Sequence, residues 1–372
     1  MKVRLVDGTY ELFRHFFAVP AAMDANGQDV GAVLGVLGSV LFMVELGATH
    51  IGVATDHVVE SFRNDLCAGY KTGEGVSPAL LAQFPILETA LLSMGVVVWP
   101  MVEFEADDAL ASAAAKAARV PVVEQVVICT PDKDLGQCIV GTRVVQLDRR
   151  RDVVRDEGGV VEKFGVVPAS IPDYLALVGD SADGYPGVAG WGPKAAALTL
   201  SQYPHLETIP KDWQAWHPSI RKARTLAATL FGAWDDVLLY RTLATLRLDV
   251  SVFDTVGALR WTGPSTDFED CCRRLQSPAL FVRAISRSRT RREHRRGTSS
   301  ARRHGWAGSS SPWYTLTDDF DKDFGVDEWH GTPVIGAGIL ARILPVSLAN
   351  YLSLGQALQK FRHAFAVNRG LA

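Results

Sequence analysis

The chain has 372 residues, 48% of them hydrophobic and 21% charged, with a formal net charge of −3 at pH 7. That is enough apolar material for one large core or two smaller ones, which excludes disorder for most of the length. The net charge by itself gives no sign of a nucleic-acid partner, and the longest apolar run, Val30 to Val44, stops at Glu45. A membrane span needs roughly 18 uncharged residues, so no membrane contact is expected. Five cysteines, at positions 67, 129, 138, 271 and 272, form no CxxC pair, and no secretory leader precedes them. This argues against both a disulfide framework and a zinc site, and a reducing cytoplasm is expected.

Lys2 to Val6 reads as a short strand ending in Asp7-Gly8, and similar apolar runs recur at Ile51 to Ala54, Val96 to Trp99, Val126 to Cys129 and Val144 to Leu147. Between them, Val30 to Leu46 and Leu80 to Ser93 carry long apolar stripes, and Asp107 to Ala118 is Ala-rich and strongly helix-forming. Strands alternating with helices predict an α/β fold with a mainly parallel sheet flanked by helices over residues 1–167. From about Val167 the pattern changes to helices and Gly/Pro turns: Ser170 to Val178, a turn from Gly179 to Gly192, Pro193 to Leu200, and Ile220 to Leu230. A helical subdomain is expected over residues 168–286. Eight arginines then fall between positions 287 and 303, which marks residues 287–372 as an Arg-rich linker and tail, with one apolar stretch at Val334 to Leu354.

Acids stand at the predicted strand ends: Asp7, Asp56, Glu105, Asp107, Asp108, Asp132, Asp134, and then Asp180 and Asp183 in the Gly-rich turn. Each has an ordinary reading as a turn former, a helix-start acid or a solvated loop charge. Jointly they fall where open α/β sheets bind ligands, beyond the carboxyl ends of the strands. Two carboxylates about 4 Å apart repel by about 4 kcal/mol at an effective dielectric near 20, so such a cluster requires cations or protons. Hard oxygen donors without His or Cys select Mg²⁺ or Mn²⁺. Two such ions about 4 Å apart suit in-line displacement at a phosphodiester.

The turn before Pro193 places Gly187, Gly190 and Gly192 directly ahead of a helix, with Lys194 beside its start. Glycine lets backbone N–H groups approach a phosphate closely, and the helix terminus adds positive potential, so this reads as a sequence-independent phosphate clamp. After Asp56, Arg63 and Lys71 stand eight apart in a segment read as helical, which would set both cations on one helix face toward the acids. There they would grip a scissile phosphate, and Tyr70 would stack on an unpaired base.

The order of these motifs resembles the flap endonuclease and 5'-3' exonuclease family, including the exonuclease domain at the start of bacterial DNA polymerase I. The resemblance rests on Val6-Asp7-Gly8, Ser61-Phe62-Arg63, Tyr70-Lys71, Glu105-Ala106-Asp107-Asp108, Thr130-Pro131-Asp132-Lys133-Asp134, Gly179-Asp180-Ser181-Ala182-Asp183 and Pro186 to Lys194. It covers residues 1 to about 286, with no polymerase domain following, as in stand-alone bacterial members. It implies a PIN-like nuclease core and a helical subdomain with a helix-three-turn-helix element that grips duplex DNA, often around K⁺. It implies that all nine acids form the metal site, directly or through water, and that Arg63 and Lys71 assist at the phosphate. The implied activity is divalent-metal-dependent 5'-3' exonuclease and 5'-flap endonuclease cleavage of DNA at flaps, nicks and 5' ends in replication and repair. The products would carry 5'-phosphate and 3'-hydroxyl ends, and a monomer is expected. Glu74 departs from relatives that carry a second base three residues after the Lys. The rival readings are a structure-selective DNA-binding protein with lost or weak catalysis and a PIN-type RNA nuclease. A Rossmann nucleotide-binding enzyme is disfavoured because no GxGxxG follows the first strand.

Overall fold

The computed structural model describes residues 1–301, with side chains described through residue 289. Six strands form one sheet: β1 (Lys2–Asp7), β2 (His50–Asp56), β3 (Val97–Met101), β4 (Gln125–Cys129), β5 (Val144–Asp148) and β6 (Val153–Arg155). The spatial order is β3-β2-β1-β4-β5-β6. The first five strands run parallel, and β6 returns antiparallel on β5 as a hairpin. The helices are α1 (Gly8–Phe16), α2 (Gly31–Glu45), α3 (Phe62–Leu66), α4 (Pro78–Leu81), α5 (Gln83–Ser93), α6 (Ala106–Ala118) and α7 (Glu157–Phe164). There follow α8 (Ile171–Val178), α9 (Pro193–Gln202), α10 (Ala223–Gly232), α11 (Trp234–Ala244), α12 (Phe268–Arg274) and α13 (Pro278–Ala301).

The period-two alternation of the strands divides the core between the two faces of the sheet. Val3 and Leu5 of β1 join Val126 and Ile128 of β4 beneath Ala-rich α6. Val6, Val127 and Cys129 point the other way, into the cluster built by α2 and α5. A parallel sheet covered on both faces needs apolar residues on both, and β2 is buried along all but its last residue. Because the chain runs outward from β1 in both directions, the crevice between β1 and β4 is the topological switch point. The register pairs Val6 with Cys129, so Asp7 and Thr130 leave the sheet side by side.

Residues of α8, α9, α10 and α11 form a second apolar cluster with Tyr70, Val160 and Val166. The expected helical subdomain does not extend to residue 286, however. Leu246, Phe253, Val256 and Leu259 pack back under α6, while Trp261, Phe268, Cys271 and Leu275 pack against the α2–α5 face. Three further differences have local causes. The stripe from Leu80 to Ser93 is broken at Ala82, because Pro85 lacks an N–H and its ring opposes the carbonyl of Leu81. Helix α1 was not foreseen, although Asp7 caps it by accepting Tyr10 N at 2.8 Å. Helix α3 is only five residues long, capped by Ser61 and ended by Cys67 at φ −145°, so Tyr70 and Lys71 lie in a loop and share no helix face with Arg63. All five cysteines are free thiols. Helix α13 is continuous to Ala301, so the linker expected from residue 287 begins as helix, and the rest of the expectation for the tail lies outside the described residues.

Trp261 joins the returning segment to the sheet domain: its Nε1 donates to Met94 O and its backbone N to Thr49 O, both at 2.9 Å. Trp261→Ala is expected to cost about 3–5 kcal/mol in urea denaturation, as for other buried Trp truncations. A loss below about 1 kcal/mol would contradict this placement in the core.

Candidate metal centre

Each acid is placed by the element that precedes it. Asp7 ends β1, and its second oxygen accepts Thr130 Oγ1 at 2.9 Å across the switch-point crevice. Asp56 ends β2; its Oδ1 accepts Ala106 N at 2.7 Å and its own N donates to Thr9 Oγ1 at 2.8 Å. Glu105 precedes α6 and forms a capping box with Asp108, which leaves Asp107 in the first turn, partly exposed. Asp132 and Asp134 follow β4 where a short 3-10 helix begins at Asp134, and Asp134 N donates to Asp132 Oδ1 at 2.9 Å. Asp180 and Asp183 sit in a tight turn closed by pairing of Asp180 with Tyr185. Gly184 in that turn has φ +88°, and a Cβ there would lie 2.1 Å from Gly69 O. This close approach is what docks the Lys71 loop, whose backbone N donates to Asp183 O at 3.0 Å.

Three of the nine acids are brought to one point. Asp134, Asp180 and Asp183 each present an oxygen within 4.8 Å of the others. Burial pushes Asp7 up to about 7, with Asp56 and Asp132 adding repulsion. Asp107 is raised well above the carboxylate range by burial and then by Asp132 and Asp7. Asp134 is raised in the same way, by burial and then by Asp132 and Asp183, against the attraction of Lys133. Burial also lifts Asp56, and it lifts Asp183 to about 6. Glu105 goes the other way: burial would raise it, but Lys71 and Arg63 hold it down to about 2. One continuous field therefore joins the acids of both loops and both strand ends.

Two lysines reach into this field. Lys71 Nζ lies 2.7 Å from Glu105 and 3.4 Å from Asp183, and these acids raise its pKa despite burial. Lys133 pairs with Asp180 and stands 3.6 Å from Asp134. Asp134 Oδ1 is buried and accepts no hydrogen bond. An all-oxygen donor set, a buried carboxylate oxygen without a donor, and raised carboxyl pKa values together fit a hard divalent cation.

Three expected roles need correction. Arg63 touches the cluster only from behind, with Nη1 3.3 Å from Glu105, and is not open to a phosphate: it is 1% exposed, with Nη1 and Nη2 on Asp108 at 2.7 and 2.8 Å, Nε on Leu243 O at 2.8 Å and Nη2 on Thr245 O at 3.1 Å. Asp108 is correspondingly consumed by Arg63 and by the backbone N of Glu105 and Arg247, so it supports the centre from behind and does not line it. Tyr70 is 2% exposed with its hydroxyl 3.3 Å from Glu105, which leaves no ring face for a base. Sequence pattern could not show that the Arg63 guanidinium is turned into the interior by carbonyls 180 residues away.

In the expected clamp, Gly190 has φ +84° with open space where a Cβ would stand, and Gly192 caps α9 with Pro193 in its first turn and exposed Lys194 beside it. Gly187 plays a different part, since a Cβ there would meet Gly179 N at 2.3 Å, so it closes the turn. Trp191 anchors the loop through Nε1 to Leu226 O at 3.2 Å. Thr9 and Gln137 are not marked by the sequence, and Thr130 and Lys133 stand there only within a motif, without a role; Gln137 accepts Leu246 N and donates to Asp134 O and Ala244 O. The alternation Asp132-Lys133-Asp134 was the only local signal for any of them.

Residues 2–165 match the family model of the 5'-3' exonuclease N-terminal, resolvase-like domain, and residues 166–267 match the 5'-3' exonuclease C-terminal SAM fold. The 5'-3' exonuclease of Aquifex aeolicus is 33% identical over 222 residues, spanning 59% of this chain and 76% of that protein. The thermostable DNA polymerase I of Thermus aquaticus is 32% identical over 256 residues, 67% of this chain but 29% of the polymerase. Among solved structures, the catalytic core of Rad2 in complex with DNA substrate superposes with a TM-score of 0.51 at 16% identity, covering 77% of this chain and 92% of that one. The chain belongs to the 5'-3' exonuclease and flap endonuclease family.

Two outcomes follow from this geometry. Arg63→Met strands Asp108 in the interior and is expected to cost about 3–5 kcal/mol, with much of the loss recovered in Arg63→Met/Asp108→Leu; denaturant titration of both variants checks this. Asp7 and Asp183 have raised native values of about 7 and about 6 against 3.8 unfolded, so the metal-free native state binds more protons than the unfolded chain. Its melting temperature is therefore expected to fall as pH rises from about 4 to about 7. Mg²⁺ should reverse the fall and Asp7→Asn should flatten it, both read by calorimetry.

Proposed function

We propose that this nuclease cleaves DNA 5' flaps and 5' ends with Mg²⁺ or Mn²⁺ as cofactor, leaving 5'-phosphate and 3'-hydroxyl ends. The observation that carries the reading is the convergence of Asp134, Asp180 and Asp183 within 4.8 Å of one another, with Asp7, Asp107 and Asp132 close enough for mutual repulsion to raise Asp7, Asp107 and Asp134 further. Asp134, Asp180 and Asp183 would hold one ion, and Asp7, Asp56, Glu105, Asp107 and Asp132 line the remainder. When bound, the ions supply Lewis acidity that lowers the pKa of the attacking water and offsets charge on the leaving oxygen.

The chain's own groups supply the rest. Thr130, Thr9 and the N-terminus of α6 fix the rotamers of Asp7 and Asp56 through direct hydrogen bonds. Lys71, charged at neutral pH, is the cation placed to leave its carboxylates for the non-bridging oxygens of the scissile phosphate. Gly190, Gly192 and Lys194 present backbone N–H groups and positive charge to the duplex without reading bases. Among the described residues no Ser or Cys is held in a triad, and a metal-activated water is the nucleophile this reading requires.

The test is cleavage of a labelled 5'-flap duplex in Mg²⁺ and in EDTA, by wild type and Asp132→Ala. Metal-dependent cutting that Asp132→Ala abolishes is expected; DNA binding without metal-dependent cleavage would favour a binding protein with lost catalysis. Lys71→Ala should lower kcat by about 10²–10³-fold with little change in KM. Gly190→Glu should instead raise the Kd for duplex, because it blocks the backbone face and strains a φ of +84°.

A further inference from the structure

The β5–β6 hairpin leaves the sheet at the same carboxyl edge as the acids and turns through Arg149-Arg150-Arg151. Asp148 Oδ1 caps this turn by accepting the backbone N of Arg150 at 3.1 Å and of Arg151 at 3.2 Å. Arg149 is committed to buried Glu11, but Arg150 and Arg151 are exposed. On β6, Arg155 donates to Gln146 Oε1, and Gln146 Nε2 donates to the carbonyl of Asp132. Arg155 thus stands one side chain away from a metal-site acid.

Lys163, exposed in the last turn of α7, completes the group. Burial lowers its pKa first, and the neighbouring Arg155 and Arg151 lower it further, with only Asp132 and Asp148 opposing. Neither Arg155 nor Lys163 has an ion-pair partner among the described residues; Lys163 Nζ lies 4.7 Å from the centre of the Phe164 ring. The nearby Asp156 and Glu157 carboxylates are occupied with the backbone N of Gly159 and Gly141. Arg151 reaches Asp148 only at 3.9 Å with its side chain mostly exposed, so the cations of this surface remain open to a polyanion.

The group is continuous with the clamp. Gly165, two residues past Lys163, has φ +73° and stands so close to α9 that a Cβ would meet Ala197 Cβ at 2.8 Å. Lys194 lies three residues before Ala197 and so shares its helix face. From these placements we infer that Arg151, Arg155, Lys163 and Lys194 form one phosphate-binding track, which carries the DNA backbone from the N-terminus of α9 across the hairpin to Asp132. This deepens the proposed function and rests on DNA being the substrate. The track is sequence-independent, since it presents cations and no base-reading groups.

The test measures binding of a fluorescent 5'-flap duplex by anisotropy in Ca²⁺ across a salt series. Arg151→Gln/Lys163→Gln removes two exposed cations without touching the acids, and Arg119→Gln, at the opposite end of α6, serves as the control. Each phosphate neutralised contributes about 0.9 to the slope of log Kd against log salt. The double variant should therefore lose about 2 from the slope while Arg119→Gln keeps the wild-type slope. Equal slopes for the double variant and wild type would overturn the track and leave the nuclease reading standing. A wild type that fails to bind the duplex would overturn both.

Discussion

Carboxylates crowded into a crevice that water only partly reaches repel one another, and that repulsion is the constraint on which the rest of this molecule depends. The sheet topology creates it. Running outward in both directions from β1 leaves a crevice at the β1–β4 boundary, and Asp7 and Thr130 emerge on its two sides. The folded chain offsets the repulsion in two ways: burial and neighbouring acids raise the carboxyl groups of Asp7, Asp107, Asp134 and Asp183, which favours their neutral form, and Lys71 and Lys133 supply internal cations. Both are replaceable by a divalent ion, which is what a site poised for metal requires.

The supports of this site lie far apart in sequence. Arg63 and Gln137 each hold the segment that leaves α11: Arg63 binds the carbonyls of Leu243 and Thr245, and Gln137 binds Ala244 O and Leu246 N. Each also touches an acid-bearing loop, Arg63 through Asp108 and Glu105, Gln137 through the Asp134 carbonyl. The segment that leaves α11 thereby braces both loops.

The basic character of the surface is distributed the same way. A net charge of −3 conceals a cationic hairpin and helix beside an acidic crevice. Charge summed over the chain reports neither, because the local fields that steer a polyanion depend on placement.

The sequence alone determined the alternation of strands and helices, the acids at the strand ends and the Gly-Pro start of α9, because each is a short-range pattern. Period-two burial, proline's fixed φ and the reach of a backbone turn all operate within a few residues. Only the tertiary structure decided which cation faces the metal site. Arg63 and Lys71 look alike in the chain, yet Arg63 is drawn inward by carbonyls of a segment 180 residues away while Lys71 is held on Asp183 by a glycine contact. It also decided that Asp108 is a support and not a ligand, that Tyr70 is core, and that residues from Leu246 return to the sheet. Those outcomes depend on partners distant in sequence, where packing and desolvation, not local pattern, set the lower free energy.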